Sequence, residues 1–229
     1  TRVFNFGAGP AMLPIEVMHK AQAEFLDYNN MGASVIEISH RSKEFGEIID
    51  RSDALLRELA NIPSNYKILY VHGGAQMQFS AVPLNLINRN PARKASFVLT
   101  GTWAVKASKE ANRYGTALDI ASSKDSNFNH IPEFDASMLD PESSYVHIVS
   151  NNTLYGTRWQ SLPNTGDIPL VADMTSEFMS RKLDISQFGI IFAGLQKNLG
   201  PAGLAVVIIR EDLLEYAIPE TPGLLNYKT

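Results

Sequence analysis

The sequence predicts an α/β fold: a mostly parallel, seven-stranded sheet with helices on both faces and a last strand that runs antiparallel. Three observations predict it. Short apolar runs recur along the chain, and a strand apolar on both faces belongs in a sheet covered on both sides. Segments of helical periodicity lie between several of these runs. The connection from Ile191 to Leu204 is short and rich in Gly and Pro, with no room for a crossover helix, so the strand it leads into turns back.

The elements follow in order. Val17, Ala21, Phe25 and Tyr28 form a stripe over 15–28, and Pro14 suits the first turn of that helix. A second helix is predicted over 44–59, where Phe45, Ile48, Ile49, Leu55, Leu56 and Leu59 share a face and the charged residues lie largely elsewhere. Strands are predicted at 67–71, 96–99, 145–149, 168–172, 189–193 and 204–209, with 116–120 as the seventh. Helices fit near 75–88 and 103–114. The polar stretch 121–142 reads as a surface excursion between strands. No repeat, heptad series or linker divides the chain, so 1–229 reads as one large domain with an N-terminal arm.

Composition narrows the function. The chain has 229 residues, 45% hydrophobic and 19% charged, enough for a sizeable core. A net charge of -4 argues against a nucleic-acid partner. No apolar run approaches the roughly 20 residues of a membrane span, so no membrane partner is expected. The absence of cysteine removes disulfides and thiolate metal sites. No metal is expected, and a cytoplasmic location fits best. The chain opens at Thr1, which suggests a removed initiator methionine, and stops at Thr229 without completing an element, which suggests further residues.

Ligands of such sheets bind beyond the carboxyl ends of the strands, and five polar groups fall there. Lys197 lies in a tight loop among small and apolar residues. It is either a loop lysine whose ammonium reaches water, or a desolvated amine able to form a Schiff base with a carbonyl. His72-Gly73-Gly74-Ala75-Gln76 is a plain strand–helix turn, or an anion site made by free N–H groups at a helix N-terminus. Trp103, after Gly101-Thr102, packs in the core or stacks on a flat ligand. Asp173 caps the next segment or pairs with a protonated ring nitrogen. Ser150-Asn151-Asn152-Thr153 makes a turn or meets a ligand hydroxyl. Taken in order, the five groups match the needs of one ligand, pyridoxal 5'-phosphate. A nicotinamide dehydrogenase would share the strand–helix alternation, but the glycine fingerprint of that class is missing.

These residues sit in longer motifs. Phe4-Asn5-Phe6-Gly7-Ala8-Gly9-Pro10-Ala11-Met12-Leu13-Pro14 opens the chain, Ser39-His40-Arg41-Ser42-Lys43-Glu44-Phe45 follows, and Gln196-Lys197-Asn198-Leu199-Gly200-Pro201-Ala202-Gly203 surrounds the lysine. With His72 through Phe79 and Ala172-Asp173, they make the chain resemble the phosphoserine aminotransferases, pyridoxal-phosphate enzymes of aminotransferase fold type I. The resemblance implies a large cofactor-binding domain and a small C-terminal domain outside 1–229. It implies that Lys197 is the catalytic lysine linked to the cofactor, that Asp173 pairs with the ring nitrogen, that Trp103 stacks on the ring, and that Thr153 meets the ring hydroxyl. Ala75, Gln76 and Gln196 would hold the phosphate.

His40 and Arg41 would bind the anionic tail of the substrate in the neighbouring subunit, which implies a homodimer with shared active sites. The implied reaction exchanges an amino group between L-glutamate and a phosphorylated keto acid, 3-phosphohydroxypyruvate, in serine biosynthesis. Gln76 and Ala8 stand where some members have arginine and serine. The family's Asn-Thr pair for the partner's phosphate site, and its arginine for the substrate α-carboxylate, lie outside 1–229. The alternatives are another fold-type-I aminotransferase, such as an alanine–glyoxylate aminotransferase, and a non-catalytic fragment. A cysteine desulfurase is excluded, because its cysteine is missing.

Overall fold

The computed structural model describes residues 2–229. Its centre is a seven-stranded sheet built from β1 (Tyr66–His72), β2 (Lys94–Leu99), β3 (Thr116–Ser122), β4 (Ser143–Val149), β7 (Leu170–Asp173), β8 (Ile190–Gly194) and β9 (Leu204–Arg210). A small antiparallel pair, β5 (Asn151–Asn152) and β6 (Thr157–Arg158), follows β4. The spatial order is β1-β9-β8-β7-β4-β2-β3. The pairs β2–β3, β2–β4, β4–β7 and β7–β8 are parallel, whereas β9 runs antiparallel to both β8 and β1. The short Ile191-to-Leu204 connection therefore reverses the chain, as its length requires. Every strand but β9 points its carboxyl end to the same edge of the sheet, and β9 begins at that edge.

The two faces explain the apolar runs. Phe97, Tyr145, Val149, Ile190, Phe192, Val207 and Ile209 face one layer. Their neighbours Val98, Val146, Ile148, Ile191, Val206 and Ile208 face the other. Alternate residues of one strand thus enter opposite cores, and both cores are apolar. Over the first face lie α3 (Gly74–Leu86) and α4 (Thr102–Ala111), which bring Phe79, Val82, Leu86, Ala104, Ala107 and Ala111. Small residues on α4 let it approach the sheet closely. The second face is covered by Trp159, Met174, Phe178, Ile185 and Phe188, with Leu56 and Ala60 of α2 (Lys43–Ala60) at its margin.

The N-terminal elements behave differently. Helix α2 begins at Ser42, whose hydroxyl accepts from Phe45 N at 3.2 Å, and ends at Asn61 in the left-handed conformation (φ 50°). Arg57 ties it to the sheet by donating to the carbonyls of Pro63 and Tyr66. Yet none of its residues is fully buried, and Leu59 of the predicted apolar stripe is 63% exposed. Helix α1 (Ile15–Glu24) is shorter than the predicted 15–28, because Asp27 accepts from Gly32 N and starts a turn in which Asn29 and Asn30 have positive φ. The arm before it is open, with Phe6 94% exposed.

Phe192 sits at the middle of the first core, edge-on to Phe79 at 6.3 Å and 6.0 Å from His147. Phe192→Ala removes a buried ring where the backbone around it is held by strands on both sides. We expect a loss of about 3–5 kcal/mol of stability, read as a lowered denaturant midpoint.

Candidate active site

The carboxyl-edge loops enclose a cavity of about 440 Å³ lined by Gly73, Gly74, Ala75, Gln76, Phe79, Trp103, Thr153, Asp173, Thr175, Gln196 and Lys197, with Gly9 and Pro10 of the arm over it. The fold assembles it from the ends of β1, β2, β4, β7 and β8. Lys197 follows β8 in a turn closed by the bonds from Leu199 N and Gly200 N to Leu195 O. Leu195 N in turn donates to Leu204 O, at the first residue of β9. The returning strand therefore holds the lysine loop against the sheet edge.

Lys197 is half-buried, and its Nζ donates to Thr153 Oγ1 at 2.6 Å. Burial lowers its pKa below the ordinary lysine value, and the Asp173 charge opposes part of that shift. The aliphatic stem is backed by the arm: a Cβ on Gly9 would lie 2.9 Å from Lys197 Cγ. Ala11 N donates to Gln196 O at 2.8 Å and fixes the arm there.

Asp173 ends β7 and is 4% exposed. Burial pushes its pKa up, and hydrogen bonds from the Thr175 side chain and backbone, with the Lys197 charge, pull it down. Both hydrogen bonds reach Oδ1, from Thr175 Oγ1 at 2.6 Å and Thr175 N at 3.0 Å. Oδ2 has no protein partner among the described residues, and it is not sealed from the cavity.

The anion end comes from Gly73 (φ 82°) and Gly74 (φ 60°), whose positive φ values turn β1 sharply into α3. Gly74, Ala75 and Gln76 at the start of α3 line the cavity, and the first N–H groups of a helix have no partner within it. Gly194 lets this turn close on the lysine loop. A Cβ there would meet Gln196 Oε1 at 2.7 Å and Ala75 N at 3.0 Å.

Trp103 stands in the first turn of α4. Its ring centroid is 6.4 Å from that of Phe79, 4.6 Å from Lys106 Nζ and 6.0 Å from Lys197 Nζ. The turn carrying Thr153 is pinned to the same helix start. Tyr155 hydrogen-bonds Thr102 through its hydroxyl at 2.7 Å, and Thr100 Oγ1 donates to Asn152 Oδ1 at 3.1 Å. A Cβ on Gly101 would stand 2.9 Å from Asn152 Oδ1.

Seven of the nine residues predicted for the site therefore meet in one cavity: Ala75, Gln76, Trp103, Thr153, Asp173, Gln196 and Lys197. His40 and Arg41 do not. Both are exposed in the turn before α2, and neither lines the cavity. The prediction passed over Gly9, Pro10, Thr175 and Ser176, which do line it. Thr175 had a readable signal, because Asp-Met-Thr directly after a strand is an Asx-turn pattern. Gly9 had none, since the approach of the arm to Lys197 is a long-range contact.

The family described as aminotransferase class-V matches residues 3–224. Over its whole length the chain is 49% identical to the phosphoserine aminotransferase of Lysinibacillus sphaericus and 51% identical to that of Desulfotalea psychrophila. It spans 62% of the length of each. The solved phosphoserine aminotransferase of Bacillus circulans subsp. alkalophilus superposes with a TM-score of 0.93 at 42% identity, over 100% of this chain and 63% of that one. That of Trichomonas vaginalis, a structure with pyridoxal phosphate bound, gives 0.91 at 37% identity over 99% and 63%.

The amine and the acid are electrostatically linked, so each reports on the other. Asp173→Asn removes the charge that holds the Lys197 pKa up, and we expect the Lys197 titration to move further below its ordinary value. The ¹⁵N signal of Lys197 Nζ, followed against pH in the ligand-free protein, reads it. An unchanged midpoint contradicts the coupling.

Proposed function

The chain belongs to the class-V aminotransferase family, and from that premise we propose that it is the large domain, with its N-terminal arm, of a pyridoxal-phosphate-dependent phosphoserine aminotransferase. In this reading a small C-terminal domain completes the enzyme. The reaction converts 3-phosphohydroxypyruvate and L-glutamate to O-phospho-L-serine and 2-oxoglutarate, in serine biosynthesis and in the cytoplasm. The observation that carries the proposal is the convergence of a desolvated lysine, a buried carboxylate, an indole and a helix N-terminus on one cavity.

These groups fit pyridoxal phosphate. Gly73, Gly74, Ala75, Gln76 and Gln196 line one end of the cavity. The close approach of Gln196 and Ala75 to Gly194, which any Cβ there would prevent, gathers the donors that suit a phosphate. Among the described residues, one oxygen of Asp173 is free of protein partners, as a cationic ring nitrogen requires. When bound, pyridoxal phosphate supplies an aldehyde that takes up an amino group and a protonated ring that accepts the electron pair released at the substrate Cα.

The chain's own residues divide the remaining work. The N–H groups of Ala75 and Gln76, with the Gln196 side chain, hold the phosphate dianion at the positive end of α3. Asp173 Oδ2 holds a proton at the ring nitrogen, since an ionised carboxylate beside it favours the charged ring. Trp103 covers the ring and keeps water off it, and Thr153 Oγ1 orients the ring hydroxyl. Lys197 Nζ, neutral more readily than a solvated lysine, takes the proton from the substrate Cα. Its link to Thr153 holds the amine at that end of the cavity.

The reading includes a homodimer in which His40 and Arg41 serve the site of the second copy. Their position away from this chain's cavity supports it, as does the exposure of Val3, Phe4 and Phe6 on the arm. A guanidinium donates bidentately to either a carboxylate or a phosphate, which suits a site that binds both substrates in turn.

Two experiments on the full-length enzyme test the proposal. Lys197→Ala should abolish transfer of the amino group from glutamate to 3-phosphohydroxypyruvate and remove the visible absorbance of the lysine-bound cofactor. Retention of both refutes the lysine's role. Arg41→Ala alone should raise KM for the phosphorylated keto acid at least about tenfold. Mixed dimers of Arg41→Ala and Lys197→Ala chains should recover activity, because one of their two sites then carries neither change. No recovery contradicts shared active sites.

A further inference from the structure

Thr175 lies two residues beyond the cavity acid, where β7 has ended but β8 continues. Met174 N still donates to Phe192 O at 2.8 Å, as a ladder bond would. The next N–H of β8 on that side, that of Gly194, donates to a side chain, Thr175 Oγ1, at 3.1 Å. A hydroxyl that accepts from an amide on one side directs its own hydrogen to its other neighbour, and that neighbour is Asp173 Oδ1 at 2.6 Å. Thr175 N donates to the same oxygen at 3.0 Å. The result is a directed chain from Gly194 N–H through the Thr175 hydroxyl to one oxygen of a buried carboxylate.

We propose that Thr175 is a positioning residue: its hydroxyl, oriented by the Gly194 N–H, locks Asp173 Oδ1 and so presents Oδ2 to the cavity for the ring nitrogen of the cofactor. This rests on the functional reading above. A carboxylate held by one oxygen cannot rotate about its Cβ–Cγ bond without breaking two hydrogen bonds, one of them charge-assisted through a hydroxyl. Hydrogen bonds to the charged form also favour ionisation against the cost of burial. Such chains strengthen as each donor polarises the next. Gly194 has two parts in the site: its N–H orients the acid end, and its missing Cβ lets Gln196 and Ala75 N approach closely at the anion end.

Thr175→Val keeps the branched shape and loses the hydroxyl, and Thr175→Ser keeps the hydroxyl. In the full-length, cofactor-free protein, Asp173 faces one charged group among the described residues that acts on it, the Lys197 amine. We expect Thr175→Val to raise the midpoint of the Asp173 carboxyl ¹³C titration and Thr175→Ser to restore it. In the holoenzyme, with pyridoxal phosphate labelled at its ring nitrogen, Thr175→Val should shift the ¹⁵N signal toward the unprotonated position. It should also lower kcat about tenfold, with KM for the keto acid within about twofold. Thr175→Ser should return all three readouts to within about twofold of the parent. An unchanged carboxyl midpoint and ring-nitrogen signal in Thr175→Val overturns the proposal, and so does a serine variant as impaired as the valine one. If the parent enzyme binds no pyridoxal phosphate, the functional reading fails, and the lock loses its stated purpose. The cofactor-free titration then shows separately whether the hydrogen-bond chain itself exists.

Discussion

The structure of the site depends on one constraint: a carboxylate buried at the end of β7 must have its charge answered inside the protein. An isolated buried carboxylate is costly enough that it would take up a proton instead. Asp173 is answered by two hydrogen bonds from Thr175 and by the charge of Lys197. Each partner is held by a different part of the sheet. Thr175 is tied to β8 through Gly194, and Lys197 is carried by the loop between β8 and β9. The three central strand ends therefore have to be in register before the acid can be accommodated.

That register comes from the reversal at β9. A parallel strand after β8 would need a crossover of a dozen residues or more. The nine residues between Gly194 and Leu204 cannot supply one, so the chain turns directly back and β9 inserts between β8 and β1. Insertion at this place has two effects. It brings the β1–α3 turn to within a Cβ contact of Gly194, and it fixes the lysine loop through the Leu195-to-Leu204 bond. The anion end and the amine end of the cavity are thus set by one backbone reversal. Helix α4 and the Thr153 turn, pinned together through Thr102 and Tyr155, close the opposite wall.

The arm and the first two helices lie outside this logic. Their apolar stripes are real but only partly covered among the described residues: α2 meets the second core through Leu56 and Ala60 and is tied by Arg57, while Leu55 and Leu59 stay exposed. Periodicity reports that a face is apolar, not what covers it. The same limit applies to His40 and Arg41, whose residue types suit an anion but whose position relative to any cavity no local pattern conveys. The arm meets the site only at Gly9, Pro10 and Ala11, where small residues lie against the Lys197 stem.

What the sequence by itself determined was the sheet, its antiparallel last strand and the strand-end residues. Apolar runs such as 189–193 and 204–209, and the short loop between them, carry that information locally. Lys197, Asp173, Trp103, Thr153 and the Gly73-Gly74 turn were legible because parallel strands deliver their carboxyl ends to one edge. Only the tertiary structure decided the spatial order of the strands, the contact of Gly9 with the lysine stem, and the direction of the hydrogen bonds through Thr175. The physical reason is the same in each case. These features depend on groups distant in sequence arriving within about 3 Å of one another, and no periodicity or propensity encodes such a meeting.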